Sequence, residues 1–554
     1  MSRSDRYPAT DPESPRVDIP WLTIGTLLLV AAPMCNYVVF AQVCGVNIPW
    51  WDEWAFVPIL HSALTGHLTL TELWAQHNED RVLFPNIVEL ILASFTRYNV
   101  TAELLTSAGC QVLTFLGIAA IYVRRRLGPL WGLVPVSALL FSLVQSYNTL
   151  SGFALLWFLG LLALTTVAVA LEALPKHRWA LALAVLGAVV ASYSGFQGLL
   201  VWLAALPYLV GSRVGWVPRI LWIGFAAIAW IVYFVGLGLQ PSAIGGSSVY
   251  FAAEHPVAAL RYLIVLVGSV VPVPFSAATV VIGVAIVVLA AGALGWSFAS
   301  GAVHRDPALR LPLTLLVYGI LFAVATTVGR ASFGTLEATS PRYTTTTLVL
   351  LLGLYLVLLR WSQSPRPWKP NWGSVLLAAC GLVLVGQVGA TLQTGWASGL
   401  QTRSARMLAA DLVVNLARAP SSLVEENVYP YRGPFLPEQV RFLERFRLSI
   451  FATSAARADL RLGVVPGGEL SPSLPVSGAL RALVRGSSSD ARAWSVLSTL
   501  YSDRPDLQAA FPRGSAHFAR DLLTWATTSG VGTDADSVFL RPFRSELDRL
   551  LRGA

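Results

Sequence analysis

The chain has 554 residues, of which 55% are hydrophobic and only 12% charged. A soluble domain usually carries about 25% charged residues, so composition excludes an ordinary soluble globular protein and points to a polytopic membrane protein. The formal net charge of +9 does not read as nucleic-acid binding, because the basic residues are scattered through short loops between apolar runs, a pattern that sets membrane orientation.

Residues 1–20 are polar and turn-rich and read as a disordered cytoplasmic tail. The apolar run that follows is too long, and too poorly flanked by small residues, for a cleaved signal peptide. A membrane helix needs about 20 mostly apolar residues. On that rule spans fall near 21–43, 102–123, 129–146, 153–174, 179–194, 197–210, 220–239, 276–298, 311–328, 343–360 and 373–393, about eleven in all. The loops test the count. Arg124 to Arg126, Lys176 to Arg178, Arg213 and Arg219, His304, Arg305 and Arg310, and then Arg360, Arg366 and Lys369 occupy every second connector. These face the cytoplasm. The alternate loops hold Asp52, Glu53, Glu79, Glu254 and Glu337 and face outward. The segment 260–271 is apolar but short and ends at Pro272-Val273-Pro274. It reads as a half-helix at the outer surface, since a full crossing would invert every later loop.

The first outer loop, 44–101, contains two amphipathic segments, 55–64 and 82–98, which are expected to lie as helices along the interface. Beyond Leu392 charged residues return, and helical patterns near 400–418, 436–452, 475–486, 490–502 and 515–528 predict a mainly helical outer domain over 394–554, long enough for its own core. The four cysteines, Cys35, Cys44, Cys110 and Cys380, lie in or beside apolar runs without paired spacing, so neither a disulfide framework nor a zinc site is expected.

Chemistry concentrates in the first outer loop. Trp50-Trp51-Asp52-Glu53-Trp54 places two carboxylates among aromatic residues of the interfacial kind. Their partial desolvation raises carboxylate pKa values and suits a base that activates a hydroxyl. Asp52 is the candidate base, with Glu53 in support and Trp51 and Trp54 against the substrate. The bland alternative is a solvated interfacial loop. His77-Asn78-Glu79-Asp80-Arg81 follows, with His77 and Glu79 as substrate contacts and Arg81 as an anion donor. A histidine two residues from a glutamate, with no second histidine nearby, is weak evidence for metal, and no metal site or cofactor is legible. Later, Gly329-Arg330 and Ser340-Pro341-Arg342-Tyr343 offer Arg330, Arg342 and Tyr343 to a phosphate; the alternative is arginines snorkelling to headgroups. Glu254 and His255, in another outer loop, are candidates for the same cavity, although a plain solvated loop is the simpler reading. One carboxylate base and a set of arginines for an anionic leaving group describe sugar transfer from a lipid-phosphate carrier.

In these residues the chain resembles the GT-C membrane glycosyltransferases, which include protein O-mannosyltransferases, the aminoarabinose transferase of lipid A and mycobacterial arabinofuranosyltransferases. The resemblance rests on Asp52-Glu53 in the first outer loop, two interfacial helices there, about eleven spans, a C-terminal outer domain, and the segments from His77 to Pro85 and from Ser340 to Tyr343. It covers roughly 20–393. It implies an all-α, GT-C-like membrane bundle and an inverting transfer from a polyprenyl-phosphate sugar, with Asp52 as general base. The acceptor would be a cell-envelope glycan, lipid or protein on the outer face of the plasma (inner) membrane. Asp80 stands where the relatives' Asn-Glu-His-Arg pattern has histidine, so no role carries over to it. The Ala-, Val-, Leu- and Arg-rich composition with little Lys or Met suggests a GC-rich bacterium, hence an arabinofuranosyl or mannosyl donor. Two other classes compete: a transporter or flippase of lipid-linked sugars, which would place ionisable residues at mid-membrane, and a non-catalytic envelope assembly protein.

Overall fold

The computed structural model describes residues 21–211, 214–238, 248–271, 276–363, 372–414, 416, 421–429 and 435–452. Among the described residues the protein is predominantly helical, and eight helical stretches are long and apolar enough to cross a membrane: 21–44, 100–125, 130–149, 155–173, 216–234, 277–299, 307–333 and 341–362. Each of them overlaps an expected span. Two further expected spans, 179–194 and 197–210, emerge shorter. One is the 13-residue helix Ala180–Ser192. The other is broken into Phe196–Leu200, Val201–Ala204 and Leu206–Gly211. The half-helix expected at 260–271 is the 13-residue helix Pro256–Gly268, which at about 1.5 Å per residue falls well short of a ~30 Å hydrocarbon core.

Close helix contact is made through small residues, as expected where lipid and side chain are equally oily. Helices Arg310–Arg330 and Thr344–Ser362 meet at Gly319 and Gly353. A Cβ on Gly319 would lie 2.5 Å from that of Leu350, and one on Gly353 would lie 2.3 Å from the Leu316 nitrogen. That pair forms the centre of the bundle. Helix Trp216–Phe234, by contrast, exposes most of its apolar surface.

At one end, charged residues at the helix ends converge. Arg125 pairs with Glu172, Arg360 with Asp306, and Arg360 also donates to the Arg126 carbonyl. At the other end lies the loop 45–99. It holds the 3-10 turn Trp51–Ala55, the helices Phe56–Leu64 and Leu83–Thr96, and the strand pair Gln76–His77 and Asp80–Arg81. Helices thus form at both amphipathic segments, within a residue or two of the expected bounds.

The helix Trp372–Val414 runs 43 residues without a break, so the expected boundary at residue 394 is not a break in the chain. Its second half packs on the first helix: Trp396 donates to Asn36, Arg403 to the Val43 carbonyl, and Gly399 abuts Phe40 and Cys44. Of the helices expected beyond it, Phe435–Phe446 is present and lies against the loop 45–99, with the Phe442 ring 4.5 Å from that of His61 and Ser449 donating to the Arg97 carbonyl. Those expected at 475–486, 490–502 and 515–528 lie outside the described residues, as does the tail 1–20.

Candidate functional site

The acidic motif is held by an awkward stretch of backbone. Trp51 adopts φ 49°, a left-handed conformation that an aromatic residue takes only under constraint. The constraint is Glu53. Its carboxylate accepts the Trp50 amide at 2.9 Å, the Gly152 amide at 2.6 Å and the Ser151 hydroxyl at 3.3 Å. Arg406, from the long C-terminal helix, lies 3.9 Å from Glu53 Oε1 with its guanidinium over the Trp50 ring. Glu53 and Arg406 are each only 3% exposed. Burial pushes the Glu53 carboxyl above its ordinary range, and the Arg406 charge and the backbone amides pull it part of the way back.

Pinning Glu53 inward turns its neighbour outward. The Asp52 side chain is half exposed and lies 3.7 Å from His77 Nε2. The His77 ring rests on Phe153 at 4.7 Å. His77 is carried by the strand pair, whose turn begins at Asn78 with φ 51°, a conformation asparagine tolerates better than most residues. On the far side of that turn Glu79 pairs with Arg330. Asp80 is half buried and accepts the Phe196 amide at 2.6 Å. Burial and the adjacent Glu79 charge raise its pKa to about 6.

Beneath Asp52 lies a cavity of about 280 Å³. Asp52, Glu72, Ala75, Gln76 and His77 are the more exposed part of its lining; Glu53, Glu89, Glu103, Tyr98, Val82, Pro85 and Asn86 are its buried part, with Phe56 and Phe153 among its walls. Helix Leu83–Thr96 contributes Glu89 and ends on two left-handed residues, Arg97 and Tyr98, which fold Tyr98 back into the interior. Burial, and then the Glu53 charge, raise Glu89 well above the usual carboxylate range. Glu103 is 2% exposed, and its Oε1 has no hydrogen-bond partner among the described residues.

The expected site residues therefore divide. Asp52, Glu53 and His77 line the cavity; Trp51 is exposed beside it, and Trp54 is fully buried behind it. Glu79 and Arg330 share an ion pair past the tip of the strand pair. Arg342 pairs with Glu337, which also accepts from the Tyr343 hydroxyl at 3.0 Å. Tyr147 lies within electrostatic reach of Asp52, Glu53, Arg342 and Arg406, which joins the late arginines to the early motif. Arg81 does not fit the anion-donor role. It is 4% exposed, stacked over Trp74, and its guanidinium donates to the carbonyls of Trp74 at 2.7 Å and Val235 at 3.0 Å. It ties the strand pair to helix Trp216–Phe234. Glu254 and His255 do not line the cavity: both are exposed, and the ring of His255 stacks on Phe251. Sequence reasoning passed over Glu89, Tyr98, Asn86, Phe153 and Arg406 as site residues.

The chain was compared with protein-family models, curated proteins and solved structures, and matches none of them.

Proposed function

We propose that the protein is a membrane glycosyltransferase of the GT-C kind, moving a sugar from a polyprenyl-phosphate donor to an acceptor hydroxyl at the outer face. The observation that carries this reading is Asp52, a half-exposed carboxylate 3.7 Å from His77 at the mouth of a cavity with a buried floor. Arg330 and Arg342 lie on that same side. In the transfer, Asp52 takes the proton of the acceptor hydroxyl. The acceptor oxygen forms a bond to the anomeric carbon as the bond from that carbon to the phosphate oxygen breaks. The lipid phosphate departs with the electron pair, and the configuration inverts. Guanidinium groups stabilise the charge that grows on the leaving group. Arg330 and Arg342 would supply them by exchanging partners with Glu79 and Glu337, and His77 would orient Asp52.

In this reading, Ala180–Ser192, the segment 196–211 and the first half of Trp372–Val414 join the eight long helices to make eleven crossings. The end bearing Arg125, Arg310 and Arg360 is cytoplasmic, and residues 394–554 lie outside the plasma membrane. The sugar is arabinofuranose or mannose. The test is Asp52→Asn in a transfer assay with a lipid-linked sugar. Loss of general-base catalysis lowers turnover by roughly 10²–10⁴-fold, with thermal stability unchanged because the side chain is half exposed. Unchanged turnover removes the base and the reaction with it.

A further inference from the structure

The cavity's rim and floor differ in chemistry. The rim holds Asp52 and His77; the floor holds three enclosed carboxyl groups with aromatic and amide side chains between them. Glu53 is satisfied by amides and faces Arg406. Glu89 and Glu103 are different: what acts on Glu89 besides burial is the negative charge of Glu53. An ionised carboxylate in such a place is very costly, and the usual escape is to keep its proton. A protonated carboxyl offers one O–H donor and spare acceptor capacity, which complements a hydroxyl, itself both donor and acceptor.

We propose that this cavity seats one uncharged sugar ring of a carbohydrate acceptor, with Glu89 and Glu103 hydrogen-bonding its hydroxyls and Phe56, Tyr98 and Phe153 packing against its C–H faces. The proposal rests on the sugar-transfer reading and adds the class of acceptor. Four observations favour it. The volume of about 280 Å³ lies just below the roughly 300–1,000 Å³ typical of ligand pockets, room for a ring rather than a peptide strand or an acyl chain. Glu103 Oε1, nine-tenths buried, lacks a partner and belongs to the lining. Asn86 adds an uncharged donor and acceptor beside the aromatic walls, while the Gln76 amide at the rim is taken up by Asn78 and Gly238. Among the described residues, no three His, Cys, Asp or Glu side chains are grouped so as to grip a metal ion. A ring seated there presents one hydroxyl to Asp52 at the mouth, where the donor's phosphate would arrive from the Arg330 and Arg342 side.

The experiment measures binding by the purified full-length chain in nanodiscs, without any lipid donor. The probes are methyl α-mannoside and methyl α-arabinofuranoside as uncharged rings, and glucosamine and Mn²⁺ as cations. Uncharged glycosides are expected to bind. Glu89→Gln, which keeps a donor and an acceptor, should preserve that binding, whereas Glu89→Leu weakens it about tenfold, the equivalent of one lost hydrogen bond. Ile59→Trp, which fills the cavity away from the carboxyl groups, should abolish it. Because Ile59→Trp leaves the acidic floor intact, it decides the matter even if Glu89→Leu fails to fold. Tighter binding of glucosamine or Mn²⁺ that disappears in Glu89→Gln overturns the proposal, as does glycoside binding unaffected by Ile59→Trp. Transfer that persists without any glycoside binding strikes this proposal alone. Binding without transfer strikes the sugar-transfer reading alone.

Discussion

Glu103 and Glu172 are both buried glutamates on neighbouring apolar helices, 2% and 4% exposed. They belong to opposite ends of the bundle: Glu103 opens helix Val100–Arg125, and Glu172 pairs with Arg125 at its other end, some 33 Å away at about 1.5 Å per residue. Their company differs. Glu172 has Arg125 beside it, and both it and Arg125 act electrostatically on Arg310, which in turn donates to the Gly211 carbonyl. Glu103 has the other carboxyl groups, Glu53 and Glu89, and an adjoining cavity. A buried charge matched by cations ties helices together. A buried acid with no cation of its own, bordering empty volume, contributes little to the fold, and such groups gather where ligands bind.

The same substitution at the two ends should therefore have unlike consequences. Glu172→Gln removes the partner of the partly exposed Arg125 and the negative charge facing the buried Arg310, at a cost of about 3 kcal/mol, the low end for a buried pair because Arg125 keeps some contact with water. Glu89→Gln replaces a carboxyl that is tolerated in this place only with its proton on by a neutral amide of the same shape, and should leave the melting temperature at neutral pH unchanged or higher. Thermal melts of both variants in the same detergent decide this. A large loss in Glu89→Gln would mean that the outer cluster is structural too. Arg406→Gln ranks next. The Glu53–Arg406 contact is loose at 3.9 Å, so its loss should cost about 1–3 kcal/mol. That loss would release the Trp51–Ala55 turn, which limited proteolysis of the loop 45–99 would reveal.

How much of this was legible in the sequence depended on whether a signal was local. Apolar runs of span length announce themselves, and so do two carboxylates among tryptophans. The amphipathic helix after Arg81 was equally plain. Glu89 was not, because a single acid in Asn86-Ile87-Val88-Glu89-Leu90 reads as the polar stripe of an interfacial helix. Only the return of the chain through Tyr98, and Phe153 from the turn before helix Leu155–Ala173, converts that stripe into a cavity wall. Arg81 misled for the opposite reason: a guanidinium near an acidic motif looks like an anion donor until its carbonyl partners, more than 150 residues later in the chain for Val235, are in place. The change in composition near residue 394 does not coincide with the end of a helix. Composition changes where a helix meets water, but an established helix continues at little cost, and Arg406 reached the site by that continuity.

Asp80 offers a milder test within the outer region. Its pKa of about 6, against an ordinary 3.8, arises first from burial and then from Glu79. The folded chain thus holds this proton more tightly than the unfolded one. The resulting penalty on stability is in full force above about pH 6 and is lifted as the pH falls toward 3.8. Asp80→Asn keeps an oxygen for the Phe196 amide and removes the charge. It should raise the melting temperature more at pH 7 than at pH 5. An equal gain at both would assign the effect to something other than the carboxylate.

The smallest expected effect on stability is also the most local. A Cβ added to Gly152 would lie 2.5 Å from Glu103 Oε2 and 3.3 Å from the Glu53 carboxyl carbon. The nearer obstacle is the far end of a side chain with an unpartnered oxygen beside a cavity, so Glu103 can swing aside into that volume. Reduced freedom in the unfolded chain favours the alanine by about 0.4–1 kcal/mol, which offsets much of the strain. Gly152→Ala should therefore melt within about 1 kcal/mol of the parent while glycoside binding and transfer decline, because the displaced carboxyl occupies the space meant for the ring. At the opposite end, Gly211 has the Val303 carbonyl 2.4 Å from its notional Cβ. Backbone cannot swing aside, so Gly211→Ala should lower stability outright. If instead the two alanine variants behave alike, the cavity floor is as rigid as the charge network at the far end, and the distinction between an acid that ties helices and an acid that awaits a ligand fails.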